Sequence, residues 1–277
     1  MLLFLLLFCI IKYSSQECGI AITSNFTNKI HFPWIAEIFS KVNKTETGND
    51  KRLCGSTIIS AFYAITASHC FQEKNSDYKR SFDEVYLLAN IIDLKQIDET
   101  YRIELKEVII HPKWNVKNSK YEGDITLLQF KDNLSFNENI QPICLSYEGI
   151  EKIPLGKVIS FIDLEKDDPG YYNHHYDKIH NYAQLFEMSI RSECTVSQPR
   201  FNEIATNKTF CAGGSGPCLE TGTSGSGMVV EKNGRFYLRG IVSASFIDFT
   251  GCDNYTYTLF TDVLKYKDWI ERIIFEI

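Results

Sequence analysis

No Cys-x-x-Cys pair occurs anywhere in the chain. That absence removes the usual zinc and dithiol redox signatures. Long apolar stretches are missing too: the longest unbroken run is Leu2 to Ile11, too short to span a bilayer. Basic residues are not in excess, with 29 Lys and Arg against 35 Asp and Glu and a formal net charge of −6, which argues against nucleic acid as a partner. There is no internal repeat and no low-complexity tract.

What is present points outward from the cell. The opening run, followed by Lys12-Tyr-Ser-Ser, reads as an export signal over residues 1–15, and no later segment reads as a membrane helix. Of nine cysteines, Cys9 lies in that signal, and the remaining eight form an even set, read in an exported chain as four disulfides. Asn-x-Ser/Thr triplets at Asn25, Asn43, Asn133, Asn207 and Asn254 are candidate glycosylation sites. The chain is expected to be secreted and extracellular.

With 277 residues and 44% hydrophobic content, the chain can form one large domain or two closely packed halves with a real core. Most segments are short apolar or β-branched runs broken by polar clusters, the pattern of an all-β barrel or sandwich. Ser56 to Ser60, Glu84 to Leu88, Glu107 to Ile110 and Ile125 to Phe130 are examples. Met228 to Glu231 and Arg235 to Ser243, joined around Asn233-Gly234, predict a hairpin. Only Asp262 to Ile274 has helical spacing, with Val263, Tyr266, Trp269 or Ile270, and Ile273 on one face. Residues 163–181, with Pro169-Gly170 and several Tyr and His, read as a surface loop, and His174, His175 and His180 near Asp177 belong to that loop rather than to a metal site. His111, before Pro112, reads as a structural strand-end residue.

Three segments carry chemistry. Cys218-Leu-Glu-Thr-Gly222-Thr-Ser224-Gly-Ser226-Gly places a hydroxyl in a Gly-rich turn before an apolar strand. A serine becomes a nucleophile only when a base takes its proton and fixed N–H donors receive the oxyanion. Thr66-Ala-Ser-His69-Cys70 places an imidazole beside a cysteine, and Asp124-Ile-Thr-Leu-Leu128 puts a carboxylate at the mouth of an apolar strand. One His, one Asp and one Ser in that order are the parts of a catalytic triad.

On these segments the chain resembles the trypsin/chymotrypsin-like serine endopeptidases over nearly all of its mature length. Thr66-Ala-Ser-His69-Cys70 is similar to the family's Thr-Ala-Ala-His-Cys, Asp124-Ile-Thr-Leu-Leu to Asp-Ile-Ala-Leu-Leu, and Gly222-Thr-Ser224-Gly-Ser-Gly stands where Gly-Asp-Ser-Gly-Gly-Pro is expected. Phe32-Pro-Trp34, Ile110-His-Pro112, Gln141-Pro-Ile-Cys144-Leu, Phe210-Cys-Ala-Gly213, Gly240-Ile-Val-Ser243 and Asp268-Trp-Ile270 add to the likeness. The Ser-Gly-Ser-Gly variant, with Cys252-Asp and Phe260-Thr-Asp, looks like an insect branch of clip-associated, developmental or immune proteases.

The resemblance implies an all-β fold of two six-stranded antiparallel barrels, over about 30–142 and 150–261, with a C-terminal helix over about 262–274. It implies Ser224 as nucleophile, His69 as base, Asp124 as the group orienting it, and the N–H groups of Gly222 and Ser224 as the oxyanion hole. Ser243, nineteen residues after Ser224, matches the family's substrate-lining serine and favours Ser224 over Ser226. The specificity pocket would have Gly216 at its base and Ser245 and Thr258 on its walls, with no carboxylate to select Arg or Lys; small or medium apolar side chains are expected. The implied disulfides are Cys18–Cys144, Cys54–Cys70, Cys194–Cys211 and Cys218–Cys252. No metal or cofactor is implied. Partners would be protein or peptide substrates, with other cascade proteases or inhibitors, and no membrane.

Two departures stand out. The family's Asp before the catalytic Ser, which pairs with a new N-terminal ammonium after zymogen cleavage, is Thr223, and no Arg or Lys followed by Ile-Val-Gly-Gly lies between Cys18 and Phe32. A buried ammonium without its carboxylate is strongly unfavourable, so losing both together is coherent. Two residues also stand extra between Cys218 and Ser224. Either the oxyanion hole is preformed in a single chain, or the protein is a weak or inactive homologue serving as a regulatory or binding partner in a proteolytic cascade.

Overall fold

The computed structural model describes residues 18–23, 30–41, 50–91, 93–94, 98–145, 149–161, 183–191, 194, 199–213, 219, 222–245 and 257–275. The expected export signal, the loop over 163–181 and the sites at Asn25, Asn43, Asn254, Gly216, Cys218 and Cys252 lie outside them.

Short strands β1 (Ile22–Thr23) and β2 (Ile30–His31) pair with each other ahead of the first barrel. That barrel comprises β3 (Ile35–Ser40), β4 (Lys51–Ile58), β5 (Tyr63–Thr66), β6 (Val85–Ala89), β7 (Arg102–Ile110) and β8 (Thr126–Phe130). They close antiparallel in the order β3-β4-β5-β8-β7-β6. The second barrel comprises β9 (Leu155–Ser160), β10 (Gln184–Arg191), β11 (Thr209–Gly213), β12 (Gly227–Lys232), β13 (Arg235–Ser245) and β14 (Tyr257–Asp262), closed in the order β10-β11-β14-β13-β12-β9. The fold is thus two six-stranded antiparallel barrels, as the sequence resemblance implies. Closure leaves neither barrel with a free sheet edge among the described residues.

Side-chain alternation explains the strands. In β10 Phe186 and Met188 face the second core, while Glu187 and Ser189 face water. β6 is buried along its whole length: Val85, Leu87 and Ala89 enter the first core, and Tyr86 and Leu88 pack with Phe39 on the outer face. Asn233 and Gly234 have φ of 54° and 73°, the left-handed pair that a two-residue hairpin turn requires, and they set the β12–β13 register.

The predicted C-terminal helix opens as a 3₁₀ turn over Val263–Tyr266, capped by Asp262, and continues as an α-helix over Lys267–Phe275. Val263, Tyr266 and Ile270 join the cluster that combines the first barrel's core with Ile159, Val229, Leu238 and Ile241 of the second. The helix therefore ties the halves together. An earlier helical turn, Phe201–Ile204, sits beside the Cys194–Cys211 disulfide.

Cys18–Cys144 and Cys54–Cys70 are also bonded, the former closing a sequence separation of 126 residues. Asn133 and Asn207 are both exposed.

Candidate active site

The imidazole is fixed by its local chain. His69 lies in a 3₁₀ turn, Ser68–Cys70, directly after β5, and the Cys54–Cys70 disulfide ties that turn back to β4. Ser68, fully buried, has its hydroxyl within hydrogen-bond distance of the Gly123 and Ile125 carbonyls and Thr126 Oγ1, so the turn is also stitched to the entry of β8.

That entry carries Asp124, which is wholly buried. A buried carboxylate needs donors on its oxygens. Oδ1 accepts the His69 backbone N–H at 2.9 Å; Oδ2 lies 2.9 Å from His69 Nδ1 and accepts the Ser243 hydroxyl at 2.6 Å. Gly123, with φ of 77°, turns the chain into this position, and a Cβ there would meet the Trp114 nitrogen at 2.7 Å. Its N–H is taken by Tyr266 Oη at 2.8 Å, so the C-terminal turn also braces the carboxylate.

Burial pulls the His69 pKa down, but the Asp124 charge and hydrogen bond, with Glu73 adding to them, outweigh it and leave the value raised above 6.5. Among the described residues the partner of Nδ1 is Asp124, which leaves Nε2 as the nitrogen for proton transfer.

The candidate nucleophile sits on the turn that leads into β12. Gly222 and Gly225 have φ of 91° and 79°. At Gly225 a Cβ would meet Thr66 Oγ1 at 2.2 Å and the Gly55 carbonyl at 2.5 Å, so only glycine lets the turn lie against β4 and β5. The Ser224 carbonyl accepts the Gly55 N–H at 2.8 Å, and the Gly225 N–H donates to Val242 at 3.0 Å. Ser226 is buried, its hydroxyl bonded to Ser160 Oγ at 2.9 Å. Ser224 instead lines the open cleft.

That cleft, a cavity of about 350 Å³, is bordered by His69, Gly222, Thr223, Ser224, Val242, Ala244 and Ser245. Three sequence-predicted groups, His69, Ser224 and the Gly222 turn, therefore share one cavity, with Asp124 directly behind. Ser243 points away from it, toward Asp124, while its neighbours Val242 and Ala244 form the wall. Ser245 reaches the cavity, and Thr258, fully buried behind it, shares a 2.9 Å hydroxyl contact with it.

Sequence reasoning missed several residues here. Leu219 is fully buried at the cleft. Tyr121 faces the His69 ring edge-on at 6.5 Å and packs with Trp114. Lys74 donates to the carbonyls of Asn115, Asn118 and Lys120 and lies 3.9 Å over the Trp114 ring. The largest omission is Arg52 and Glu37, a buried ion pair of 2.6 Å whose guanidinium also donates to the Gly222 carbonyl at 2.6 Å. Nothing in the local sequence signals it, because the contact joins residues 170 apart.

The arrangement matches a known family. The trypsin family model matches residues 22–270, and the chain belongs to that family of serine proteases. Among its relatives, serine protease gd of Drosophila melanogaster is 29% identical over 278 residues, covering 88% of this chain and 51% of that protein. CLIP domain-containing serine protease B15 of Anopheles gambiae is 26% identical, covering 97% of this chain and 75% of that one. Human chymotrypsin-like elastase family member 1 is 27% identical over 239 residues, covering 82% and 83%. The chain thus spans about half the length of gd and three-quarters of B15.

Proposed function

We propose that the protein is a secreted serine endopeptidase acting through an acyl-enzyme on Ser224. The observation that carries this reading is the alignment of His69 on the buried, three-times hydrogen-bonded Asp124, facing the cavity that Ser224 lines. In the reaction, Ser224 Oγ attacks the scissile carbonyl as His69 Nε2 takes its proton. The N–H groups of Gly222 and Ser224 receive the oxyanion. His69 then returns the proton to the leaving amine as the C–N bond breaks, and water, activated by the same imidazole, releases the acyl group. Asp124 holds the imidazole's tautomer and stabilises the imidazolium throughout.

The pocket is read as taking small or medium apolar side chains. Ser245, which borders the cavity, and Thr258 behind it would form its wall and Gly216 its base, and the backbone beside Ser243 would line the substrate strand. Asn133 and Asn207, both exposed, are proposed as glycan acceptors together with Asn25, Asn43 and Asn254, and Cys218–Cys252 as the fourth disulfide. Kinship with two serine proteases, gd and a CLIP domain-containing one, supports partners among other cascade proteases or their inhibitors.

A second reading, a regulatory homologue with little activity, is favoured by one observation: Thr223 stands where the family carries Asp. Cleavage of a mixed peptide library by the purified protein, compared with Ser224→Ala, separates the two. Ser224-dependent cleavage supports the endopeptidase; equal background from both proteins supports the homologue.

A further inference from the structure

Thr223, between the two proposed oxyanion donors, is buried and uncharged, so its side chain can form no ion pair that would hold the turn. Two of the turn's carbonyls are held from one strand of the first barrel. Arg52 Nη2 donates to the Gly222 carbonyl at 2.6 Å, and the Gly55 N–H donates to the Ser224 carbonyl at 2.8 Å. Arg52 and Gly55 both belong to β4 of the first barrel, whereas the turn belongs to the second.

Arg52 is in turn aimed. Its Nε donates to Glu37 Oε2 on the neighbouring β3 at 2.6 Å, its side chain is 4% exposed and that of Glu37 is fully buried. The guanidinium lies 5.8 Å from the centre of the Phe161 ring, beyond β9 of the second barrel. Burying such a pair is costly, and replacing it with apolar residues of similar volume is often neutral or stabilising. Among the described residues, Arg52 Nη1 and Glu37 Oε1 have no partner, which raises that cost. A pair that is poor value for stability but donates into the nucleophile turn points to a positional role.

We propose that Arg52, oriented by Glu37, is a positioning residue for the oxyanion-binding turn, holding the Gly222 carbonyl from the first barrel so that the turn keeps its working shape in the uncleaved chain. The inference rests on the endopeptidase reading for its catalytic meaning, but the anchoring itself can be measured without activity.

The test uses Glu37→Leu/Arg52→Met, which removes both charges and keeps apolar volume, in two backgrounds. With Ser224→Ala, backbone hydrogen exchange over residues 222–226 is expected to accelerate at least about tenfold while amides of β5 and β8 keep their protection. In the active background, fluorophosphonate labelling at Ser224 is expected to slow by about tenfold or more, short of the roughly 10²–10³ lost when an oxyanion donor is removed outright. Arg52→Lys keeps the charge beside Glu37 but cannot span both partners, so it should lie between the parent and the double variant; if the double variant folds poorly, Arg52→Lys decides alone. Unchanged exchange over 222–226 in a folded variant overturns the proposal. Failure of the parent protein to label at Ser224 would instead remove the endopeptidase reading, leaving the exchange result to decide the anchoring.

Discussion

Asp124 Oδ2 accepts the Ser243 hydroxyl at 2.6 Å, the same oxygen that lies 2.9 Å from His69 Nδ1. A serine that the family resemblance assigns to the substrate strand turns its hydroxyl to the buried carboxylate that aims the base. Hydrogen bonds to a buried charge are worth about 1.5–3 kcal/mol. Ser243→Ala should therefore lower kcat/KM by roughly 10- to 150-fold, with most of the loss in kcat, measured on whichever peptide the parent cleaves best. An unchanged kcat would show that Asp124 does not need this donor.

The pH profile reports the same pair. Neutral His69 is the working base, so kcat/KM should fall on the acid side with a midpoint above the ordinary 6.5, because Asp124 holds the imidazolium despite burial. The linkage to stability has the matching sign: protonation is favoured in the fold, so the contribution is full below pH 6.5 and disappears as pH rises through the raised value. Asp124→Asn should lower activity by about 10⁴-fold and move the acid limb downward.

His111 behaves oppositely. It is 7% exposed, edge-on to Tyr266 and Trp269, and its Nδ1 accepts the Lys113 N–H at 3.1 Å. Burial, with Lys208 and Lys113 nearby, pushes its pKa down to about 4. The unfolded chain therefore binds this proton first, and stability should fall as pH drops from about 6.5 to about 4, by up to ~3 kcal/mol. Thermal melts across that range should show the drop, and His111→Gln should flatten it.

Specificity can be redirected at one position. With no carboxylate at Gly216, a peptide library should report preference for small or medium apolar residues before the scissile bond. Gly216→Asp should introduce cleavage after Arg and Lys. Retained apolar preference in that variant would place the pocket base elsewhere.

Legibility of the chain followed how local each determinant is. The Asn233-Gly234 hairpin and the face of Val263, Tyr266 and Ile270 are set by neighbours a few residues apart, so spacing alone revealed them. The likeness of the segments around His69, Asp124 and Ser224 to the family motifs revealed the two barrels and which groups meet at the cleft. Arg52 gave no signal: a basic residue at a strand start reads as solvent-facing, and only the second barrel closing over it turns it inward. The family resemblance favours Ser224 over Ser226 through the place of Ser243, whereas the Ser160 contact made by the buried Ser226 is tertiary and leaves no mark in the sequence.

The most direct test of the account is labelling of the intact protein, before any proteolysis, with a fluorophosphonate, followed by peptide mapping and a Ser224→Ala control. The account predicts a single adduct on Ser224 that is absent from the variant. No adduct in folded protein with Cys18–Cys144, Cys54–Cys70 and Cys194–Cys211 bonded, or an adduct on another serine, would contradict it.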